Sequence, residues 1–265
     1  MESDGDTFES FQDTEFEYDL DFAPRVWLAY EFQEGSGVRV TYWQFDHSAN
    51  GVTASPPENG FGQITHPPFG AVDISTTIPS DVFSAASDLN AYSIDVEFAR
   101  NLDFGGWSFA AGAGLRYASV KQTYRAQLRD DNATLLGTID FNHNLRGLGP
   151  TISVTAGRPL PRCWTAFAAA RASLLFGDGE SRLVAGEDLD LTSPFNTRRA
   201  NSRDDVFSIG ELQLGLEWSP CCLGCWKPFL RGAFEGQLWS GVGNASSEDG
   251  DLGFVGFNVV TGVQF

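Results

Sequence analysis

The chain repeats one constraint: short stretches in which apolar residues alternate with small or polar ones at a period of two. The last stretch is the plainest. Val255, Phe257, Val259, Thr261, Val263 and Phe265 fall on one face, with Gly256, Asn258, Val260, Gly262 and Gln264 on the other. Successive side chains of a β-strand point to opposite sides, so the pattern predicts strands whose two faces meet different surroundings. A soluble sandwich makes alternating strands too. The two architectures separate on segment length, on the order of the connections and on where the charges fall.

Reading for period two gives nine segments: 24–32, 37–46, 91–100, 107–120, 146–157, 164–176, 206–218, 228–239 and 253–265. Each is close to the roughly 9–11 residues that a tilted strand needs to cross a bilayer. In the fourth, Trp107, Phe109, Ala111, Ala113, Leu115 and Tyr117 oppose Ser108, Ala110, Gly112, Gly114, Arg116 and Ala118. In the third, Tyr92, Ile94, Val96 and Phe98 oppose Ser93, Asp95, Glu97 and Ala99; in the seventh, Leu212, Leu214, Leu216 and Trp218 oppose Glu211, Gln213, Gly215 and Glu217. The sixth offers only Ala166, Ala168, Ala170, Ala172 and Leu174 to lipid, an assignment that turns Arg171 inward.

The connections alternate short and long. Residues 33–36, 101–106, 158–163 and 219–227 make the short ones; 47–90, 121–145, 177–205 and 240–252 make the long outer loops. An up-and-down antiparallel transmembrane β-barrel, with brief periplasmic turns and extended outer loops, sorts its loops this way. Residues 124–128 and 133–141 still read as strand, so the fourth and fifth segments are expected to project as a hairpin beyond the membrane. Charge sorts with loop length: the outer segments, with the opening 23 residues, hold 27 acids and seven bases. Aromatic residues gather at strand ends, where an apolar ring and a polar tip are both satisfied at headgroup level. The expected membrane-interface girdle is Tyr42, Trp43, Trp107, Trp164, Trp218, Trp239 and Phe265.

No run of eighteen apolar residues exists, which excludes a transmembrane helix. A net charge of −18 makes nucleic acid an unsuitable partner, because phosphate binding wants clustered Lys and Arg. With the short turns periplasmic, nine strands would leave the N-terminus outside, a parity that a bacterial barrel of even strand number does not allow. The expectation is therefore about ten strands in the full-length protein. Residues 1–23 would be an acidic outer loop or remnant of an N-terminal truncation, with an export signal ahead of it, and 24–265 the barrel.

Pro24-Arg25-Val26-Trp27-Leu28-Ala29-Tyr30 and Gly37-Val38-Arg39-Val40-Thr41-Tyr42-Trp43-Gln44-Phe45-Asp46-His47 carry a further signal. With Gly114-Leu115-Arg116-Tyr117-Ala118, Leu148-Gly149-Pro150-Thr151 and the run from Ala170 to Asp178, they resemble the Legionella-type major outer-membrane protein family. The resemblance spans residues 20–265. It implies a pore-forming β-barrel in the outer membrane of a Gram-negative-type bacterium.

On the inward face the reading collects Arg25, Glu31, Arg39, Asp95, Glu97, Arg116, Arg171, Glu211, Glu217, Arg231 and Glu235. Charges inside a narrow barrel must be paired or hydrated. They imply either a salt-bridged, filled interior or a water-filled pore passing small solutes or ions, and barrels of eight to ten strands leave little room for the second. Cys163 lies in one short turn and Cys221, Cys222 and Cys225 in the next; an oxidising periplasm favours a disulfide from Cys163 to Cys221 or Cys222, and a zinc site is the alternative. No resident metal or cofactor is expected. Glu187, Asp188 and Asp190, or Glu248, Asp249 and Asp251, offer oxygen ligands to divalent cations bridging lipopolysaccharide, without calcium-loop spacing. His47, His66 and His143 have no nucleophile motif around them, so no enzymatic activity is expected. Outer-membrane lipid, lipopolysaccharide and the barrel-insertion machinery, engaged through Phe265, are the expected partners. Two other readings stay open: a soluble, lipocalin-like β-barrel binding module, and surface-layer anchoring or adhesion through the outer loops.

Overall fold

The computed structural model describes residues 21–32, 35–58, 64–65, 75–187, 195–220, 226–243 and 250–264. Among them are twelve strands: β1 (Arg25–Glu31), β2 (Ser36–Ser48), β3 (Val52–Ala54), β4 (Ile64–Thr65), β5 (Ser75–Thr76), β6 (Val82–Phe104), β7 (Trp107–Arg129), β8 (Leu135–Leu160), β9 (Trp164–Glu187), β10 (Phe195–Trp218), β11 (Lys227–Ser240) and β12 (Asp251–Gln264). Nine form one antiparallel sheet in the order β1-β2-β6-β7-β8-β9-β10-β11-β12; β3 pairs beside β6, and β4 with β5 makes a separate ribbon. Every neighbour on the main path follows its predecessor in the chain apart from the β2-to-β6 step, which is an up-and-down meander. The fold is all-β, as the alternation predicts.

The sheet curls into an open half-barrel with β1 and β12 as its two edges. No backbone ladder joins those edges among the described residues. Side chains nonetheless meet across the curl: Arg25 of β1 reaches Glu235 of β11 at 2.5 Å, and Phe254 of β12 lies 5.5 Å from Trp43 and 5.1 Å from Phe45 of β2, ring to ring. Two inward glycines permit this curvature. A Cβ on Gly114 would strike the Val96 carbonyl, and one on Gly149 the Leu174 carbonyl, so both positions need a bare backbone where strands crowd.

Outward faces are apolar, as lipid requires. Val96 and Phe98 of β6, Leu212, Leu214 and Leu216 of β10, and Val255, Phe257 and Val259 of β12 are all exposed, Phe257 at 73%. A continuous exposed band of this kind is alien to a water-soluble monomer. Placing a charge on that face tests it: Leu212→Arg is expected to destabilise the folded barrel in bilayers by about 2–4 kcal/mol, falling towards zero near the interfaces. Equilibrium unfolding in lipid vesicles measures this, and a loss below about 0.5 kcal/mol would refute a lipid-facing Leu212.

Strands β6 to β10 run well past the sequence reading. They are 23 to 26 residues long, and at about 3.3 Å per residue the longest extends about 86 Å against an apolar band of about 25 Å. The excess lies on the side of the long connections, so much of 82–90, 121–145, 177–187 and 195–205, read as loop, is strand. The projecting hairpin expected for the fourth and fifth segments is present, and β6, β9 and β10 join it. The reason lies in the inward residues there. Phe83, Ala85, Tyr124, Leu128, Ile139, Phe141 and Leu183 alternate with polar neighbours and pack as a small apolar core. At the β7–β8 tip, the Asp130 carboxylate accepts N–H bonds from Thr134 at 2.6 Å and Asn132 at 3.0 Å, which hold its carboxyl below the usual range.

Candidate functional site

Inside the curl, the polar side chains of eight strands converge at one height. Arg116 of β7 donates to Asp95 of β6 through Nε, and through Nη2 at 2.9 Å; the same Nη2 lies 2.5 Å from Glu211 of β10. Arg171 of β9 reaches Glu97 at 2.8 Å, Asp95 at 3.3 Å and Glu211 at 3.4 Å. Arg39 of β2 donates to Glu97 at 2.8 Å and to Ser153 of β8 at 3.2 Å. Arg25 holds Glu235 in a two-pronged pair at 2.5 and 3.0 Å and stands 3.6 Å from Glu211.

The result is one connected network of four arginines and four carboxylates, formally neutral. Neutrality matters because an unpaired ion away from water is costly, whereas alternating partners satisfy each other. Arg116 and Asp95 are each 1% exposed. Amide side chains extend the network: Gln213, Gln237 and Asn258 donate to Glu235 at 3.1, 2.8 and 2.9 Å, and Trp239 donates to Gln237 at 3.0 Å. Nearer the short turns, Arg231 pairs with Glu217 at 2.6 Å and sits over the Phe167 ring at 4.5 Å.

On the outer side of the charge layer the interior changes character. Trp43, Leu89, Val120, Leu145, Leu175, Phe207, Ile209 and Trp239 form a buried apolar cluster within the curl. The turn after β11 folds into it. Gly241 and Gly243 take positive φ angles, Val242 between them is fully buried, and Gln122 of β7 donates to the Val242 and Gly243 carbonyls at 3.4 and 3.2 Å. The interior is thus polar only in part, where the alternation alone suggested a polar lumen throughout.

Ten of the eleven lumen charges read from the sequence take part in ion pairs; Glu31 is exposed at the end of β1 and stands apart from them. In the expected girdle, Trp107, Trp164 and Trp218 are outward at the short-turn end and Tyr42 is outward on β2, while Phe265 lies outside the described residues. Trp43 and Trp239 are corrections. Both point inward, 5.6 Å apart ring to ring, because each shares its strand face with an inward residue, Thr41 and Gln237. That parity was available in the sequence, where proximity to a strand end outweighed it. Tyr92 and Tyr117, 6.0 Å apart, share the outward strand faces of Ile94 and Leu115 at the end of the apolar band towards the long connections.

Cys163 is described and exposed; Cys221, Cys222 and Cys225 lie outside the described residues, as does any pairing with them. Ser219, just after β10, donates its N–H to the Cys163 carbonyl at 2.9 Å. Of the acidic candidates for cations, Asp251 accepts the Gly241 N–H at 2.9 Å and fixes the inward turn; Asp188, Asp190, Glu248, Asp249 and the Glu187 side chain lie outside the described residues. His47 lies 2.7 Å from Asp21, and His143 is buried beside Phe141; His66 lies outside the described residues.

With this geometry in place, comparison with known proteins returned one family, described as "Legionella pneumophila major outer membrane protein precursor", matching residues 2–224. Curated proteins and solved structures gave no match. The matched span covers most of the chain, which belongs to this family and to the outer membrane of a Gram-negative-type bacterium.

Proposed function

We propose that this member of the Legionella-type major outer-membrane protein family is a structural outer-membrane β-barrel whose lumen is filled, with the acidic excess of its sequence carried by the opening residues and the outer loops beyond the membrane. The observation that carries this reading is the neutral Arg–carboxylate layer lying against a buried apolar cluster. A solute path through the curl would have to part buried ion pairs and then pass Trp43, Trp239 and Val242. Each removal of an ion from its buried partner is strongly unfavourable.

The pore-forming reading has one observation in its favour. Glu97 Oε1, Arg116 Nη1, Arg171 Nε and Arg25 Nε are buried without a protein partner, and ordered waters would satisfy them. Water in the charge layer is not yet a path, because the apolar cluster has nothing to hydrate it. Full-length protein refolded into planar bilayers is expected to give no unitary current. Reproducible unitary steps would overturn the filled-lumen reading and establish passive conduction. The soluble, lipocalin-like alternative is disfavoured by the outward band of Leu, Val and Phe, which would leave a binding module insoluble.

A further inference from the structure

The two ends of the outward apolar face of β6 to β10 differ in sign. Towards the long connections the apolar residues stop at a row in register, Ile94, Tyr117, Leu148, Phe176 and Val206, and the next row out carries Arg146 with Asp178 and Asp204. Between that apolar row and the short turns, the outward faces of these five strands hold two charged residues among the described ones, Arg100 and Arg158, and no acid. The short turns repeat the bias. Residues 33–36, 100–106, 158–163 and 219–227 contain four bases and two acids, in a chain whose net charge is −18.

Arg100 lies four residues before the end of β6 and Arg158 two before the end of β8, which is about 13 and 7 Å along their strands. From that depth an arginine lays its stem on the apolar wall and carries its guanidinium to headgroup level. The Arg158 guanidinium stands 5.4 Å over the ring of Trp107, one of the outward tryptophans at the short-turn end, so an interface residue holds it there. Small neighbours leave both arginines uncovered: Arg100 is in register with Ser36 and Ala111, and Arg158 with Ala166. Both are exposed, and neither makes an ion pair among the described residues. Inside the curl the arginines of the neighbouring strands, Arg116 and Arg171, are matched to carboxylates of this chain. On the outside the matching anion has to come from the bilayer.

We infer that the short-turn rim of the barrel is a docking surface for anionic phospholipid of the periplasmic leaflet, with Arg100 and Arg158 each donating to a phosphodiester whose acyl chains lie on the apolar wall. This rests on the outer-membrane reading above, in which the short turns face the periplasm, and it names the lipid class that this end of the barrel selects. The planar guanidinium fork matches two oxygens of one phosphate. A zwitterionic phospholipid offers the same phosphate, but it brings an ammonium group against the guanidinium and the basic turns. A headgroup with uncompensated negative charge is therefore preferred.

The test is native mass spectrometry of the full chain, released from detergent that holds equal amounts of phosphatidylglycerol and phosphatidylethanolamine with the same acyl chains. Phosphatidylglycerol should be retained about tenfold or more over phosphatidylethanolamine, and Arg100→Gln with Arg158→Gln should bring the ratio close to one, since each cation near a membrane surface contributes about fivefold. Arg100→Lys with Arg158→Lys keeps both charges and should keep most of the preference. Lys121→Gln with Arg182→Gln, on the acidic side, should leave the ratio unchanged. Gel migration before and after heating verifies that each variant is folded. Equal retention of the two lipids by the unmodified chain, or a ratio that the glutamine pair does not move, would overturn the proposal. So would a glutamine pair that keeps its lipid ratio and loses binding to purified cell-wall sacculi, which would assign the two cations to the wall polymer. Protein that inserts into vesicles of neither lipid would instead refute the outer-membrane reading on which the proposal rests.

Discussion

Replacing Arg116 by Ala is expected to lower the unfolding free energy of the barrel by about 3–5 kcal/mol, the largest effect of any single charge removal in this protein. Arg116 is the only group that bridges Asp95 and Glu211 from the β7 side, and all three are buried. Its loss would leave two carboxylates facing each other with Arg171 as their only shared cation, and Glu211 with Arg25 at 3.6 Å as a distant second. The damage should come from the charge left behind, so the double variant Arg116→Met and Asp95→Asn, which restores neutrality at three arginines and three carboxylates, should recover most of the stability. Urea unfolding followed by the gel shift between folded and heat-denatured forms gives both values. A single variant within about 1 kcal/mol of wild type would show that water already solvates those carboxylates, and would remove the main support for a filled lumen.

The second large effect is expected at Trp239. It is fully buried, packs on Trp43 at 5.6 Å and Phe254 at 6.2 Å, and donates to Gln237. Trp239→Ala should cost about 3–5 kcal/mol, because no lipid can enter to refill the cavity. The comparison with Phe257→Ala makes the measurement decisive. Phe257 is an aromatic residue of similar bulk on the opposite face, 73% exposed, where acyl chains replace whatever the mutation removes. Its loss should be much the smaller of the two. Equal losses would mean that Trp239 also meets lipid, and the apolar cluster would not be a plug.

Arg171 and Trp239 mark how much of the interior is legible in the sequence. Arg171 has to face inward because a lipid-facing position does not accommodate an arginine, and the structure joins it to Asp95, Glu97 and Glu211. The same parity places Trp239 inward with Glu235 and Gln237, but a Trp near a strand end reads equally well as an interface anchor. The projecting parts of β9 and β10 are not legible locally, for a related reason. Their apolar inward residues, Leu183 and Ala185, are sparse, and they become a core only when Phe83, Tyr124 and Ile139 arrive from β6, β7 and β8.

Alternation and the ordering of the connections determined the class of fold, the face each strand turns to lipid and the set of charges turned inward, since a strand's two faces are set by a local period that any stretch of ten residues displays. Only the tertiary structure decided which inward side chains meet. Curl and strand stagger bring residues more than a hundred positions apart into contact, Arg25 to Glu235 and Gln122 to Val242 among them. Those two contacts belong to the neutral charge layer and to the apolar cluster sealed by the turn after β11, and no local period encodes where the two regions divide.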